Sequence, residues 1–79
     1  MSHATIYVTD WCPYCSTLLR GLQGTEYELI DVDVDPEAGE WVKSVNDGNR
    51  VVPTVRYSDG SHATNPPAAA VRLKIEELS

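Results

Sequence analysis

Two cysteines lie in one four-residue stretch, Cys12-Pro13-Tyr14-Cys15, and the 79-residue chain has no others. Thiols at this spacing in a short chain point to redox chemistry rather than to a disulfide scaffold. A bridge across so small a loop removes little chain entropy, so it is a poor staple and more useful when it can open. The same pair could be half of a zinc site. The other soft ligands, His3 and His62, are not at finger spacing and lie far from the cysteines in sequence. An iron–sulfur cluster shared between two subunits is a further metal reading, but Pro13 and the second thiol favour a redox pair. No metal ligand is assigned.

The elements around the pair decide how the two thiols differ. Ala4 to Thr9 is short and rich in β-branched residues, which suits a buried strand. After it the period changes: Cys15, Leu18, Leu19 and Leu22 fall at i, i+3, i+4 and i+7, one apolar helix face, with Gly21 and Gly24 at its end. Glu26 to Asp33 reads as a second strand with a break in alternation near Leu29-Ile30. Asp35-Pro36 is a helix start, followed by Ala38, Trp41, Val42 and Val45 on one face and closed by Asn46-Asp47-Gly48-Asn49. Thr54 to Tyr57 and Ser61 to Ala63, joined by Ser58-Asp59-Gly60, read as a hairpin. Asn65-Pro66 repeats the capping logic ahead of a last helix with Ala70, Val71, Ile75 and Leu78 on its apolar side. Glu76 and Glu77 lie near that helix's negative end, so its last turn is expected to fray. The order β-α-β-α-β-β-α predicts an α/β fold, a four-stranded mixed sheet covered by three helices, within a single domain spanning 1–79. The right-handed crossover rule leaves few arrangements, and the favoured one makes the first strand central, with Cys12 in the turn at its carboxyl end.

A thiol at a helix N-terminus faces unpaired backbone N–H groups and the positive end of the macrodipole, which favour the thiolate. Cys12 is therefore the candidate nucleophile. Cys15, one turn further in and on the apolar face, is governed more by burial and stays protonated, as a resolving thiol would. Pro13 fixes the entry to the helix, and Tyr14 offers an exposed aromatic surface to a bound thiol compound.

Composition narrows the partners. Of the residues, 42% are hydrophobic and 23% charged, as in an average globular domain, and there is room for one small core. Twelve acidic against six basic residues give a net charge of −6 at pH 7, so no basic surface awaits a nucleic acid. No run of roughly 18 apolar residues suggests a membrane span, and no leader-like segment opens the chain, so a cytoplasmic location is expected. A monomer is the simpler expectation, since patterning leaves no large apolar patch.

The strand ending in Trp11-Cys12-Pro13-Tyr14-Cys15, with Val52-Pro53-Thr54 downstream, resembles the glutaredoxin branch of the thioredoxin fold over nearly the whole chain. The Thr9-Asp10-Trp11-Cys12 approach, the segment from Trp41 to Val55 and the stretch Asp59 to Pro66 are more narrowly similar to mycoredoxins, glutaredoxin-like enzymes that use mycothiol. The resemblance implies a cis peptide before Pro53 and pairing of the Val52 backbone with the cysteinyl part of the incoming disulfide. It also implies a redox disulfide Cys12–Cys15, with Trp11, Pro13, Tyr14, Val52, Pro53, Thr64 and Asn65 as substrate-binding positions.

Two departures from ordinary glutaredoxins bear on the thiol used. Where those proteins commonly carry a cation three residues before the first cysteine, this chain has Thr9, followed by Asp10. Where they carry an acidic pair before the last helix, it has Thr64-Asn65. Mycothiol has no carboxylate or free amine to pair and many hydroxyls to satisfy, and neutral residues suit it. The resemblance thus implies an oxidoreductase that removes mycothiol from protein mixed disulfides. It would hold no bound cofactor, and its mycothiol would be regenerated by mycothione reductase and NADPH. The alternative is a dithiol redoxin supplying electrons to ribonucleotide reductase and reduced by thioredoxin reductase. Such redoxins usually carry a Trp-Ser-Gly-Phe-Arg-Pro segment that Ser61 to Pro66 does not match.

Overall fold

The computed structural model describes residues 2–79, so Met1 of the expected 1–79 domain lies outside the described residues. Its elements follow the predicted order: β1 Ala4–Val8, α1 Pro13–Gly21, β2 Glu28–Asp31, α2 Pro36–Ser44, β3 Thr54–Tyr57, β4 His62–Thr64 and α3 Ala68–Leu78. They build a mixed four-stranded sheet of order β2-β1-β3-β4. β1 runs parallel to β2 and antiparallel to β3, and β3 is antiparallel to β4. The chain thus has the glutaredoxin/thioredoxin-like fold that its sequence implies. None of its helices is long and apolar enough to cross a membrane.

Strand alternation sends β1 side chains into two cores. Ala4, Ile6 and Val8 pack with Val55 and Tyr57 against Leu18 and Leu22 from α1 and its end and Val71 of α3. Tyr7, on the opposite face, packs with Val32 and with Ala38 and Val42 of α2. Residues such as Ile6, Leu22, Val55 and Val71 are completely buried, each contributing roughly 1.5–3 kcal/mol. Trp41, expected in the helix core, is only half-buried. Its ring lies 4.8 Å from that of Tyr7, and the Arg56 guanidinium sits 5.0 Å above it.

Several boundaries differ from expectation for local reasons. β2 is limited to Glu28–Asp31 because it is an edge strand whose one neighbour, β1, pairs with it from Thr5 to Val8. The broken alternation follows, with Leu29 exposed and Ile30 half-buried. β4 begins at His62, since the Asp59 carboxylate accepts from both the Ser61 N–H (3.0 Å) and the Ser61 hydroxyl (2.6 Å) and keeps that residue in the turn. Asn65 does not cap α3. It takes a left-handed conformation (φ 48°), and the helix starts after Pro67 with no side-chain cap. Pro67 disfavours helical geometry at Pro66, which delays the start. The buried side of α3 runs through Ala68, Val71, Ile75 and Leu78, with Ala70 exposed. Packing of Ile75 and Leu78 keeps the last turn helical despite Glu76 and Glu77.

The end of α1 and the start of α3 touch, fixing the helix that carries the cysteines against the Asn65–Pro67 loop. A Cβ on Gly21 would fall 2.5 Å from the Ala68 Cβ, and the Gly21 carbonyl accepts from Arg72 at 3.2 Å. Gly21→Ala is expected to cost about 1–2 kcal/mol in urea unfolding, overpacking less the gain in helix propensity. Ala68→Gly in the same chain should restore most of it. A Gly21→Ala protein as stable as its parent would show that the two helices separate freely.

Candidate active site

β1 ends at Val8, and the turn Thr9-Asp10-Trp11 delivers Cys12 to the start of α1, its N–H reaching back to the Thr9 carbonyl at 3.4 Å. Cys12 is the N-cap residue: its backbone is extended (φ −86°, ψ 112°) and its sulfur accepts the Cys15 N–H at 3.2 Å. Ser or Asp usually fills this role, satisfying one of the helix's orphan donors. Pro13 follows at the helix start, where a missing N–H costs nothing. On its other side the Cys12 thiol donates to the Val52 carbonyl at 3.7 Å. Both cysteines are free thiols and both are buried.

Cys15 stands one turn in, packed in the larger core with Leu18 and Leu22. Burial, reinforced by the hydrogen bond with the Cys12 sulfur, pushes its thiol up to about 12, while bonding to the Thr9 backbone opposes the rise. The protonated state expected of Cys15 therefore follows from its packing. Trp11 and Tyr14 flank the pair at 74% and 66% exposure, so the nucleophile candidate is ringed by aromatic surface while itself covered.

The other wall is the Val52–Pro53 loop. Its peptide is cis, as the resemblance implies, with Pro53 buried and Val52 half-buried. The Pro53 carbonyl accepts the Asn65 N–H at 2.8 Å, which draws the Thr64-Asn65 stretch alongside. Asn65 and Tyr14 also line one cleft of about 340 Å³ with Thr17, Leu18 and Pro66-Pro67. Cys12, Cys15, Tyr14, Val52, Pro53 and Asn65 thus form one cluster. Thr64 joins it indirectly: its hydroxyl donates to the Asn46 side chain at 2.6 Å.

Sequence reasoning missed Asn46 and Thr17. Asn46 fell in a stretch that reads as a helix terminator, and an Asn there ends a helix whatever its amide does. Only the folded chain puts that amide beside Thr54 and Thr64. Thr17 shows no pattern beyond an exposed helix position. Arg50, close in sequence to the Val52-Pro53 loop, pairs instead with Asp33 in a separate cleft of about 240 Å³ beside Pro36 and Gly39. Thr9 is buried and its hydroxyl has no hydrogen-bond partner among the described residues. His3 bonds Ser58 at 3.0 Å and His62 lies edge-on to Trp41, so neither imidazole is turned to the cysteines. Among the described residues no three His, Cys, Asp or Glu side chains converge as a metal site.

The glutaredoxin family profile matches residues 4–63. Mycoredoxin 1 of Corynebacterium glutamicum is 76% identical over 79 residues, covering all of both chains. Among solved structures, the NrdH-redoxin of Escherichia coli, described as a glutaredoxin-like protein with a thioredoxin-like activity profile, superposes with a TM-score of 0.69. It is 33% identical, over 89% of this chain and 92% of that one. A glutaredoxin of Archaeoglobus fulgidus superposes with a TM-score of 0.72 at 24% identity, over 96% of this chain and 87% of that one, a likeness of fold.

The buried thiol has a measurable consequence. Only the thiolate of Cys15 can close an internal disulfide, and burial makes that form scarce near neutrality. Closure after Cys12 is joined to a small thiol loses the contributions of the Cys12 thiol but keeps the burial, and should accelerate about tenfold per pH unit from pH 7 to 8, the slope of a group titrating above that range. Rapid-quench mass spectrometry of the adduct follows it. A flat profile over those pH values would show that burial does not control Cys15.

Proposed function

The chain belongs to the glutaredoxin family and is a thiol–disulfide oxidoreductase, and from that premise we propose that it removes mycothiol from protein mixed disulfides in the cytoplasm. The observation that carries the reading is the full-length likeness to Mycoredoxin 1. Neutral side chains at Thr9, Thr64 and Asn65 agree with it, because a thiol rich in hydroxyls and free of carboxylates needs no fixed cation.

Cys12, as thiolate, attacks the mycothiol sulfur of the mixed disulfide. The protein's sulfur leaves as thiolate and takes up a proton, and Cys12 is left bonded to mycothiol. A second mycothiol thiolate attacks the bound mycothiol sulfur, forms mycothiol disulfide and expels Cys12. Mycothione reductase, drawing on NADPH, returns that disulfide to two thiols. Cys15 serves a side path: its thiolate attacks Cys12, releases mycothiol and closes the Cys12–Cys15 disulfide. Val52 and Pro53 provide the backbone edge for the cysteinyl part of the ligand, Thr64 and Asn65 its polar end, and Trp11, Pro13 and Tyr14 the surface around the sulfur. No resident cofactor takes part in these steps.

The test uses Cys15→Ser protein, incubated separately with mixed disulfides of one peptide with mycothiol and with glutathione. Adduct mass and released peptide thiol are followed. Transfer of mycothiol to Cys12 at least about tenfold faster than glutathione, a margin of 1.4 kcal/mol, is the expected result. Equal transfer of both would sink the selectivity assigned to Thr9, Thr64 and Asn65. Transfer of neither would favour a dithiol redoxin acting directly on protein disulfides.

A further inference from the structure

Asn46 lies just beyond α2 and belongs to neither of the segments assigned to the ligand, yet its side chain reaches one directly and the other through Thr54. Its Nδ2 donates to the Val42 carbonyl at 2.8 Å and to the Thr54 hydroxyl at 3.3 Å, and its Oδ1 accepts from the Thr64 hydroxyl at 2.6 Å. The orientation is forced, since the Val42 carbonyl can only accept and so must face the NH₂ end. Thr54 passes the link on, donating to the Val51 carbonyl at 2.7 Å. One amide therefore ties the end of α2 to the Val51–Pro53 edge and to the Thr64-Asn65 stretch.

Resting on the reading above, we propose that Asn46 is a positioning residue for the captured low-molecular-weight thiol. It fixes the spacing between the Val52 edge and Thr64, and it fixes the Thr64 hydroxyl with its proton turned inward. Thr64 is exposed, and an exposed threonine has no packing to hold one rotamer; the bond to Asn46 supplies the constraint. With its hydrogen spent on Asn46, that hydroxyl meets a ligand with lone pairs alone. It then receives O–H and N–H donors, which a polyol supplies and a carboxylate does not.

Capture by Cys15→Ser protein under single turnover separates positioning from chemistry. Asn46→Ala should raise the half-saturating concentration of the mycothiol mixed disulfide about tenfold and leave the rate at saturation within about threefold, the signature of lost binding rather than lost attack. Asn46→Asp keeps an acceptor for Thr64 but has no donor for the Val42 carbonyl or the Thr54 hydroxyl. Its half-saturation should fall between those of the parent and Asn46→Ala, because the bond to Thr64 survives and the tie to the Val51–Pro53 edge does not, while its thermal midpoint falls at least as far as that of Asn46→Ala. Affinity and stability then order the two variants differently, which a purely structural role does not allow. Half-saturation that tracks the thermal midpoint, or that stays within twofold of the parent in Asn46→Ala, overturns the inference. A parent that prefers the glutathione substrate overturns the mycothiol reading alone, provided that Asn46→Ala still weakens capture of that substrate. An unchanged half-saturation on whichever substrate the parent prefers overturns the role of Asn46 alone.

Discussion

One sulfur serves two purposes where β1 becomes α1, and the arrangement of the site follows from that junction. A helix start leaves N–H groups without partners, and in α1 the Cys12 sulfur accepts the one on Cys15 at 3.2 Å. An oxygen-bearing side chain would cap with greater preference but would bring no soft nucleophile. Pro13, lacking an N–H, removes one of the groups a cap would otherwise have to satisfy. The junction is also immobilised from behind. β1 has β2 on one side and β3 on the other, so the turn that presents Cys12 cannot shift without disturbing two ladders.

Packing and chemistry are the same event in so small a protein. A chain of this length buries only about 60% of its unfolded surface, and both cysteines are part of the larger core rather than of a separate pocket. Cys15 fills space as a small apolar side chain, and the loss of water that makes this favourable is what holds its proton on. On the sheet's other face, α2 buries Ala38 and Val42 and so fixes the point from which Asn46 reaches across to Thr54 and Thr64. α1 thus belongs to one core, while Val52 of the opposite wall packs against both.

The order of elements was legible because each has a strong local signature: β-branched runs, an i, i+3, i+4, i+7 face, and Asp35-Pro36 as a helix start. The cysteines were legible because a Cys-x-x-Cys after a strand puts a thiol at a helix N-terminus in few other ways. The wall opposite was legible only through family resemblance, since nothing local to Val52-Pro53 says that it faces Cys12. What stayed hidden depends on tertiary pairing. Asn65-Pro66 has the composition of a helix cap, but Pro67 defers the helix to Ala68 and Asn65 turns left-handed instead. Asn46 has the composition of a terminator, and its three partners include one eight and one eighteen residues away. Edge strand β2 kept its apolar residues but not their burial, because no second neighbouring strand extends the pairing that would fix their register.

The two thiols differ in their hydrogen bonds and packing, and this bears on the order of events on the proposed reading. The Cys12 sulfur stands at the start of α1, between the Cys15 N–H that it accepts and the Val52 carbonyl to which its thiol donates. A small thiol that attacks the bound mycothiol expels the Cys12 sulfur back into that position. The route through Cys15 must instead begin by charging a sulfur whose thiol burial pushes up. With mycothiol present, the external thiol needs no such ionisation inside the core, so the cycle through Cys12 alone runs ahead of internal closure. When that thiol is scarce, Cys15 is the remaining nucleophile, slow but always in place.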